Sequence, residues 1–297
     1  MTVLELKNIH KSFGDTKALK GVSFEIPAGS IFGILGPNGS GKTTLLGIML
    51  DVLKADSGSF TWFDEPEGEN PRKRIGTLLE TPNFYHYLSA TSNLEITRRI
   101  SKRGAREDVE HVLRKVQLYE RRKSRFSSYS LGMKQRLAIG AALLGTPSVL
   151  VLDEPTNGLD PEGIAEVREL IADLNEQGHT IIIASHLLDE VEKVCTHVAI
   201  LKNGDLLSCG SVKEILADED WVELSAKNLP ALNAAMSQYP GLLHHRIEQT
   251  LVLAAFAKDA VDLEAVNEFC YRQGVKLTHM LLRKQRLEAR FFELIQK

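Results

Sequence analysis

The chain has 297 residues, 43% of them hydrophobic and 25% charged, which suits one large α/β domain plus a smaller one and excludes a disordered polymer. A formal net charge of −3 gives no electrostatic ground for nucleic acid as a partner. Cys195, Cys209 and Cys270 are isolated and odd in number, which points to free thiols in a reducing compartment rather than to a disulfide framework or a metal site. No apolar run approaches the roughly 20 residues of a transmembrane helix. Residues 1–7 lack the basic and long apolar regions of a signal peptide, so a cytoplasmic chain is expected unless a partner holds it at a membrane.

Residues 3–7 and 21–26 alternate apolar and polar, the pattern of strands in a partly exposed antiparallel layer. Between them Lys11-Ser12-Phe13-Gly14-Asp15 reads as a turn, and its single ring is by itself a routine core or edge residue. Ile31-Phe32-Gly33-Ile34-Leu35 is a buried strand and Leu45 to Leu50 a helix. They flank Gly36, Pro37, Asn38, Gly39, Ser40, Gly41, Lys42, Thr43 and Thr44. Gly36, Gly41, Lys42 and Thr43 have the P-loop spacing, in the strand–turn–helix context the motif needs. Phosphate oxygens require many close N–H donors, and side chains would block the backbone's approach at several of these positions. The helix start adds the positive end of its dipole. Lys42 then offers a charge to the β/γ-phosphates and Thr43 a hydroxyl to Mg²⁺. A nucleoside-triphosphate site is expected.

Further along, Phe60–Phe63 reads as a strand, 64–70 as an exposed acidic loop, and 75–80 as a short strand ending at Glu80. One helical pattern runs from Thr91 to about Val116. Its Arg98-Arg99 and Lys102-Arg103 pairs suit either a solvated face or contact with a protein or membrane surface. A helix opens near Ser130, continues through Leu144 and is stopped by Pro147. Val149–Leu152 is fully apolar and ends in Asp153-Glu154-Pro155. Such a strand delivers Asp153 beside the P-loop, where an Asp holds Mg²⁺. Glu154 follows, placed to polarise a water attacking the γ-phosphate. Gly158-Leu159-Asp160 precede a helix to Glu176, His186 directly follows the strand 180–184, and Asn203-Gly204 marks a hairpin. The character changes around 216–220, where a small α+β segment begins: a strand at 221–224, a helix at 230–238, a strand at 247–255, a helix at 260–273, a strand at 275–282 and a helix at 287–296. His244-His245 reads as two surface histidines, because no Cys or further His stands at ligand spacing.

Ser130-Leu131-Gly132-Met133-Lys134-Gln135-Arg136 stands where ATP-binding cassette (ABC) proteins carry their signature. Asp153-Glu154 stands at Walker B, Gly158-Leu159-Asp160 at the D-loop and His186 at the switch histidine. In that order, residues from about 2 to 217 resemble the ATP-binding subunit of an ABC transporter. Tyr129 to Met133 together with Glu80 resembles, more narrowly, the bacitracin- and lantibiotic-type exporters. The resemblance implies an α/β P-loop NTPase fold, a RecA-like core with an antiparallel β subdomain and an α-helical signature subdomain at about 83–140. This nucleotide-binding domain would span 1–217, and an accessory α+β domain, a dimer stabiliser or a regulator site, 218–297.

The resemblance further implies an ATPase using ATP and Mg²⁺ to energise a separate transmembrane permease that exports an antibiotic, peptide or other small amphipathic compound. The chain would sit peripherally on the inner face of the membrane, as a homodimer or pseudo-dimer closing head to tail with ATP between one P-loop and the other signature. Carried over residue by residue, Glu154 is the catalytic carboxylate, His186 the γ-phosphate sensor and Lys42 the phosphate-binding cation. Phe13 stacks on adenine, Ser130, Gly132 and Asp160 meet the nucleotide across the dimer, and Thr43, Glu80 and Asp153 hold the metal. Leu131 replaces the broad family's glycine and Glu80 its usual glutamine; both recur in the narrower subfamily, and an active enzyme is expected. A non-transport cassette ATPase acting on nucleic acid or ribosomes is the rival. It is disfavoured by the single P-loop and the lack of a long heptad segment.

Overall fold

Three apolar runs of the sequence become the middle of one sheet. β3 (Ile31–Leu35), β6 (Val149–Asp153) and β7 (Thr180–Ser185) are buried at every position, as strands are when both faces of a parallel sheet are covered. With β5 (Ile75–Leu78), β8 (His197–Lys202) and β9 (Asp205–Ser211) they form six strands in the order β5-β6-β7-β3-β8-β9, parallel except for the β8–β9 hairpin. The computed structural model describes residues 1–63, 71–79, 83–216, 219–258, 260–283, 287 and 291, with the backbone alone at 72, 219 and 283.

β1 (Thr2–Phe13), β2 (Thr16–Pro27) and β4 (Ser57–Trp62) form a second, antiparallel sheet in the order β2-β1-β4. Alternate residues of β2 are buried, so one face of this sheet joins the core. Leu4, Leu6, Val22 and Ile26 share a cluster with Ile34, with Val151 and with Leu45 of α1 (Lys42–Met49). Phe24 stacks on Phe32 at 5.3 Å. The strand continues past Lys11, where the sequence suggests a turn: Phe13 still pairs with Thr16, and only Gly14-Asp15 turn.

The helical pattern from Thr91 to Val116 is two helices, α2 (Ala90–Ser101) and α3 (Arg106–Lys115). Lys102 and Gly104 have φ of +53° and +76°, which ends the first, and Arg103 reaches away to the Ile75 carbonyl at 2.7 Å. The Ala105 amide then donates to Asp108 Oδ2 at 2.8 Å and restarts the helix. α4 (Leu131–Leu143), α5 (Pro161–Glu176) and α6 (Leu188–Val194) complete a unit spanning Met1–Ser211.

The second unit, Val212–Lys297, contains α7 (Val212–Ile215), β10 (Glu219–Ala226), α8 (Leu229–Met236), β11 (Leu242–Glu248), β12 (Leu251–Ala257), α9 (Leu263–Arg272) and β13 (Leu277–Arg283). From β10 onward this is a β-α-β-β-α-β order with an antiparallel sheet β11-β12-β10-β13, the ferredoxin-like arrangement. Val222, Leu224, Val252, Ala254 and Phe256 on one face pack with Leu232, Met236, Val266 and Cys270 from α8 and α9. The strand expected at 247–255 is instead a hairpin. Its turn falls at Gln249-Thr250, where Gln249 takes φ +55° without a glycine, asparagine or proline to announce it. Of the expected closing helix only Leu287 and Phe291 are described, both helical and buried, and the rest of it lies outside the described residues.

Candidate functional site

The C-terminal ends of β6, β7 and β3 stand side by side, with β7 in the middle. β6 therefore lies one strand away from β3, and the residue that follows β7 stands beside the carboxylates after β6.

After β3 the chain curls through residues 36–41 into α1. A Cβ on Gly36 would lie 2.4 Å from both the Leu201 carbonyl oxygen and Ser40 Oγ, and one on Gly41, at φ +108°, would lie 2.6 Å from the Ala18 carbonyl. Neither position admits a side chain. Gly41 is the N-cap of α1, so no capping side chain competes for the free amides of the first turn, which suit an anion. Ser40 Oγ is buried with no hydrogen-bond partner among the described residues. Lys42, 6% exposed, folds back over the loop. Its Nζ donates to the carbonyls of Gly36 at 2.8 Å and Pro37 at 3.3 Å and lies 3.7 Å from Glu154 Oε1. Thr43 Oγ1 donates to Asp153 Oδ2 at 3.2 Å.

Glu154 stands at φ +48°, a left-handed conformation that costs a non-glycine residue about 1 kcal/mol or more. The surroundings hold it there. Its amide donates to the Ala184 carbonyl at 2.9 Å, extending the β6–β7 ladder by one bond. Glu154 Oε2 meets His186 Nδ1 at 2.9 Å and the His186 amide at 3.4 Å. A carboxylate only accepts, so Nδ1 carries the hydrogen and Nε2 of the neutral ring is an acceptor. With Lys42 at one oxygen and His186 at the other, Glu154 is aimed from both sides.

The P-loop, Asp153 and Glu154 line a cleft of about 770 Å³, within the range of ligand sites. Residues 15–18 and Lys20 form one wall, Asn157 and Asn203 contribute to others, and Leu131 and Gln135 of α4 reach its margin. Sequence reasoning did not single out Lys17, Lys20, Gln135, Asn157 or Asn203 as site residues. Two of them had a signal: Gln135 stands within the signature stretch, and Asn203 within the Asn-Gly turn, which reads as a hairpin and not as a site.

The other candidate residues are placed differently. Phe13 is 51% exposed, outside the cleft lining, with Lys11 Nζ 5.4 Å from its ring centroid. Ser130 and Asp160 are helix caps: Ser130 Oγ accepts from the Met133 amide at 3.2 Å, and Asp160 Oδ1 from the Gly163 amide at 3.0 Å. Neither of them, nor Gly132, lines the cleft of its own chain. A Cβ on Gly132 would meet nothing nearer than 3.7 Å. Glu80 lies outside the described residues. Thr43 and Asp153 form an all-oxygen donor set suited to a hard cation. No cage of three or more His, Cys, Asp or Glu gathers among the described residues.

Residues 19–157 match the family described as ABC transporter. The uncharacterized ABC transporter ATP-binding protein YhcH of Bacillus subtilis (strain 168) is 36% identical over 99% of this chain and 96% of its own length. The bacitracin transport ATP-binding protein BcrA of Enterococcus faecalis is 38% identical over 72% of this chain and 70% of its own. The solved dimeric, post-hydrolysis structure of the ATP-binding cassette MJ0796, bound to ADP and Pi, shares the fold with a TM-score of 0.62 at 27% identity, over 70% of this chain and 98% of that one.

Proposed function

We infer the function from one premise: the chain belongs to the ABC transporter family, as one of its ATP-binding subunits. It binds nucleotide and hydrolyses ATP to power a separate membrane permease. The observation that carries our reading of the site is the meeting of Lys42, Thr43, Asp153, Glu154 and His186 at the ends of three adjacent strands.

On this reading the phosphates lie on the free amides of the P-loop and the start of α1. Lys42 exchanges the Gly36 and Pro37 carbonyls for phosphate oxygens, a move its flexible stem allows. Mg²⁺, held by Thr43, Asp153 and Glu80, supplies neutralising charge to the phosphate oxygens when bound. Glu154 takes the proton of the attacking water, its carboxylate held in line by His186. While His186 keeps its Nδ1 hydrogen on Glu154, its Nε2 can donate to a γ-phosphate only as imidazolium; as a neutral ring it orients Glu154. Phe13 stacks on adenine, supported by its open ring and its pairing with Thr16, a residue of the cleft wall.

Ser130, Gly132 and Asp160 act on the nucleotide of a second copy. Their position outside their own chain's cleft and the open space at Gly132 support this arrangement. Residues up to about 217 are the nucleotide-binding domain and 218–297 an accessory domain. Likeness to a protein named for bacitracin transport supports a peptide antibiotic or similar small amphipathic compound as the exported cargo. No described helix is long and apolar enough to cross a membrane, and we assign the chain to the cytoplasmic membrane face, held there by its permease. The non-transport reading has no observation in its favour. The test is ATP binding and Mg²⁺-dependent turnover in wild type and Lys42→Ala, with co-purification of a multi-span membrane protein. An unaffected Lys42→Ala variant would remove the phosphate site from this loop.

A further inference from the structure

The turn between β8 and β9, Asn203-Gly204, takes no part in the roles above, yet it is bonded to the P-loop. The Gly204 amide donates to the Ser40 carbonyl at 3.0 Å, while the Gly204 carbonyl accepts from the Lys20 amide on β2 at 2.9 Å. One residue thus ties the loop to a wall of the cleft. A larger residue has no place there. Gly204 takes φ +86°, and a Cβ on it would lie 2.8 Å from the Ala18 carbonyl oxygen, the same atom that bars a Cβ from Gly41. The strand leading into the turn presses on the other end of the loop, where the Leu201 carbonyl faces Gly36. Asn203 at φ +50° and Gly204 make the left-handed pair that a two-residue hairpin turn requires. Outside the turn, Lys20 Nζ meets Asp205 Oδ2 at 2.7 Å.

The planarity of the peptide unit gives this bond a consequence. In a trans peptide the C=O of one residue and the N–H of the next point in opposite directions, and no cis peptide bond occurs among the described residues. An anchor on the Ser40 carbonyl therefore turns the Gly41 N–H away from the hairpin, and Gly41 lines the cleft. We propose that Gly204 is a positioning residue for the nucleotide: it locks the Ser40–Gly41 peptide with its N–H presented to a phosphate oxygen. This rests on the reading that the phosphates of ATP lie on the 36–43 loop.

Gly204→Ala drives a methyl group into the Ala18 carbonyl and lifts the amide off Ser40. The expected result is a KM for ATP raised about ten-fold with kcat at saturation changed no more than about two-fold, the pattern of lost uniform binding. A merely structural glycine would lower Tm and leave KM unchanged, and that result overturns the proposal. Should Gly204→Ala not fold, the wild-type protein decides the matter by hydrogen exchange of the 200–206 segment with and without ADP. Added protection of the Gly204 amide in the presence of ADP is expected, and unchanged exchange overturns the proposal. Lys42→Ala, measured alongside, reports on the underlying reading: wild-type nucleotide binding by that variant sinks the phosphate site itself, whereas a defect in Lys42→Ala with a silent Gly204 sinks only the inference drawn here.

Discussion

Glu154→Gln separates two things the carboxylate does. The amide keeps the shape of the side chain, and its carbonyl oxygen can still accept from His186 Nδ1, which lies 2.9 Å from the carboxylate oxygen. What disappears is the base, and with it the charge 3.7 Å from Lys42 Nζ. Loss of a positioned base lowers kcat by about 10²–10⁴-fold. Loss of the charge acts the opposite way on binding. Two unit charges at that separation attract by about 4.5 kcal/mol at an effective dielectric of 20. Glu154 is 22% exposed in an open cleft, so solvent screens most of this. If about a quarter survives, Lys42 leaves its partner for phosphate with about 1 kcal/mol less resistance, roughly five-fold tighter ATP binding. Steady-state turnover and fluorescence titration with ATP on one preparation test both arms. Turnover within ten-fold of wild type would remove Glu154 from the chemistry, and weaker ATP binding would refute the electrostatic account of Lys42.

Chains carrying Ser130→Arg and chains carrying Lys42→Ala should each be inactive, yet regain some ATPase when mixed, because one of the two sites in a mixed dimer is intact; no recovery in demonstrated heterodimers rules out a shared site. Glu80→Gln should leave ATPase of the isolated chain within several-fold but weaken transport with the permease, since a carboxylate can pair with a basic partner and an amide cannot; collapse of isolated hydrolysis would put Glu80 in the chemistry. The Arg98 guanidinium grips both oxygens of Glu95 at 2.9 Å and holds its carboxyl down at about 2. A depressed carboxylate stabilises fully above its unfolded value of about 4.3 and loses that contribution as pH falls toward 2. Thermal denaturation of wild type and Glu95→Gln at stepped pH should therefore show a gap that is constant above about pH 5 and closes toward pH 2; a gap independent of pH would refute it.

The core of the site was legible because each of its parts needs a specific local sequence. Gly36 and Gly41 have no room for a Cβ, and the strand before Asp153 must be apolar because both its faces are covered. What spacing could not show is the order of strands. The strand that carries the carboxylates, β6, is not the neighbour of β3: β7 lies between, which brings His186 to Glu154, while Thr43 still reaches Asp153. The cap functions of Ser130 and Asp160 could have been read from their places just before helices, but the same residues were assigned to nucleotide across a dimer, and position alone does not separate the two. Asn203 was hidden for a different reason. It lines the cleft, and its neighbour Gly204 bonds Ser40 about 160 residues earlier in the chain, so only the fold reveals the placement. The hairpin at Gln249 was missed because a non-glycine residue accepts left-handed backbone there with no mark on the local sequence. The break after Lys102 had a signal in Gly104, which the continuous helical pattern obscured.

On our reading the single chain is half an enzyme, and the physics of the open cleft says why the second half matters. Hydrogen bonds and charges aimed at a transferring phosphoryl group act weakly in water and strongly where water is excluded. Lys42, Glu154 and His186 already hold their partners, yet the cleft above them is open, and Ser130 and Gly132 at the start of α4 do not line it. Closure over a second copy would supply donors on the far side of the γ-phosphate and remove the solvent in one motion, so turnover follows dimerisation rather than ATP binding alone. Leu131 bears on the same step. It is 46% exposed at the beginning of α4, close to the turn after Walker B, where a Cβ on Gly158 would touch its Cδ2 at 3.5 Å. A glycine at that position would offer bare backbone to the approaching copy. A half-exposed leucine offers apolar area whose burial favours closure by about 1 kcal/mol and, unlike the charges around it, is not screened by salt.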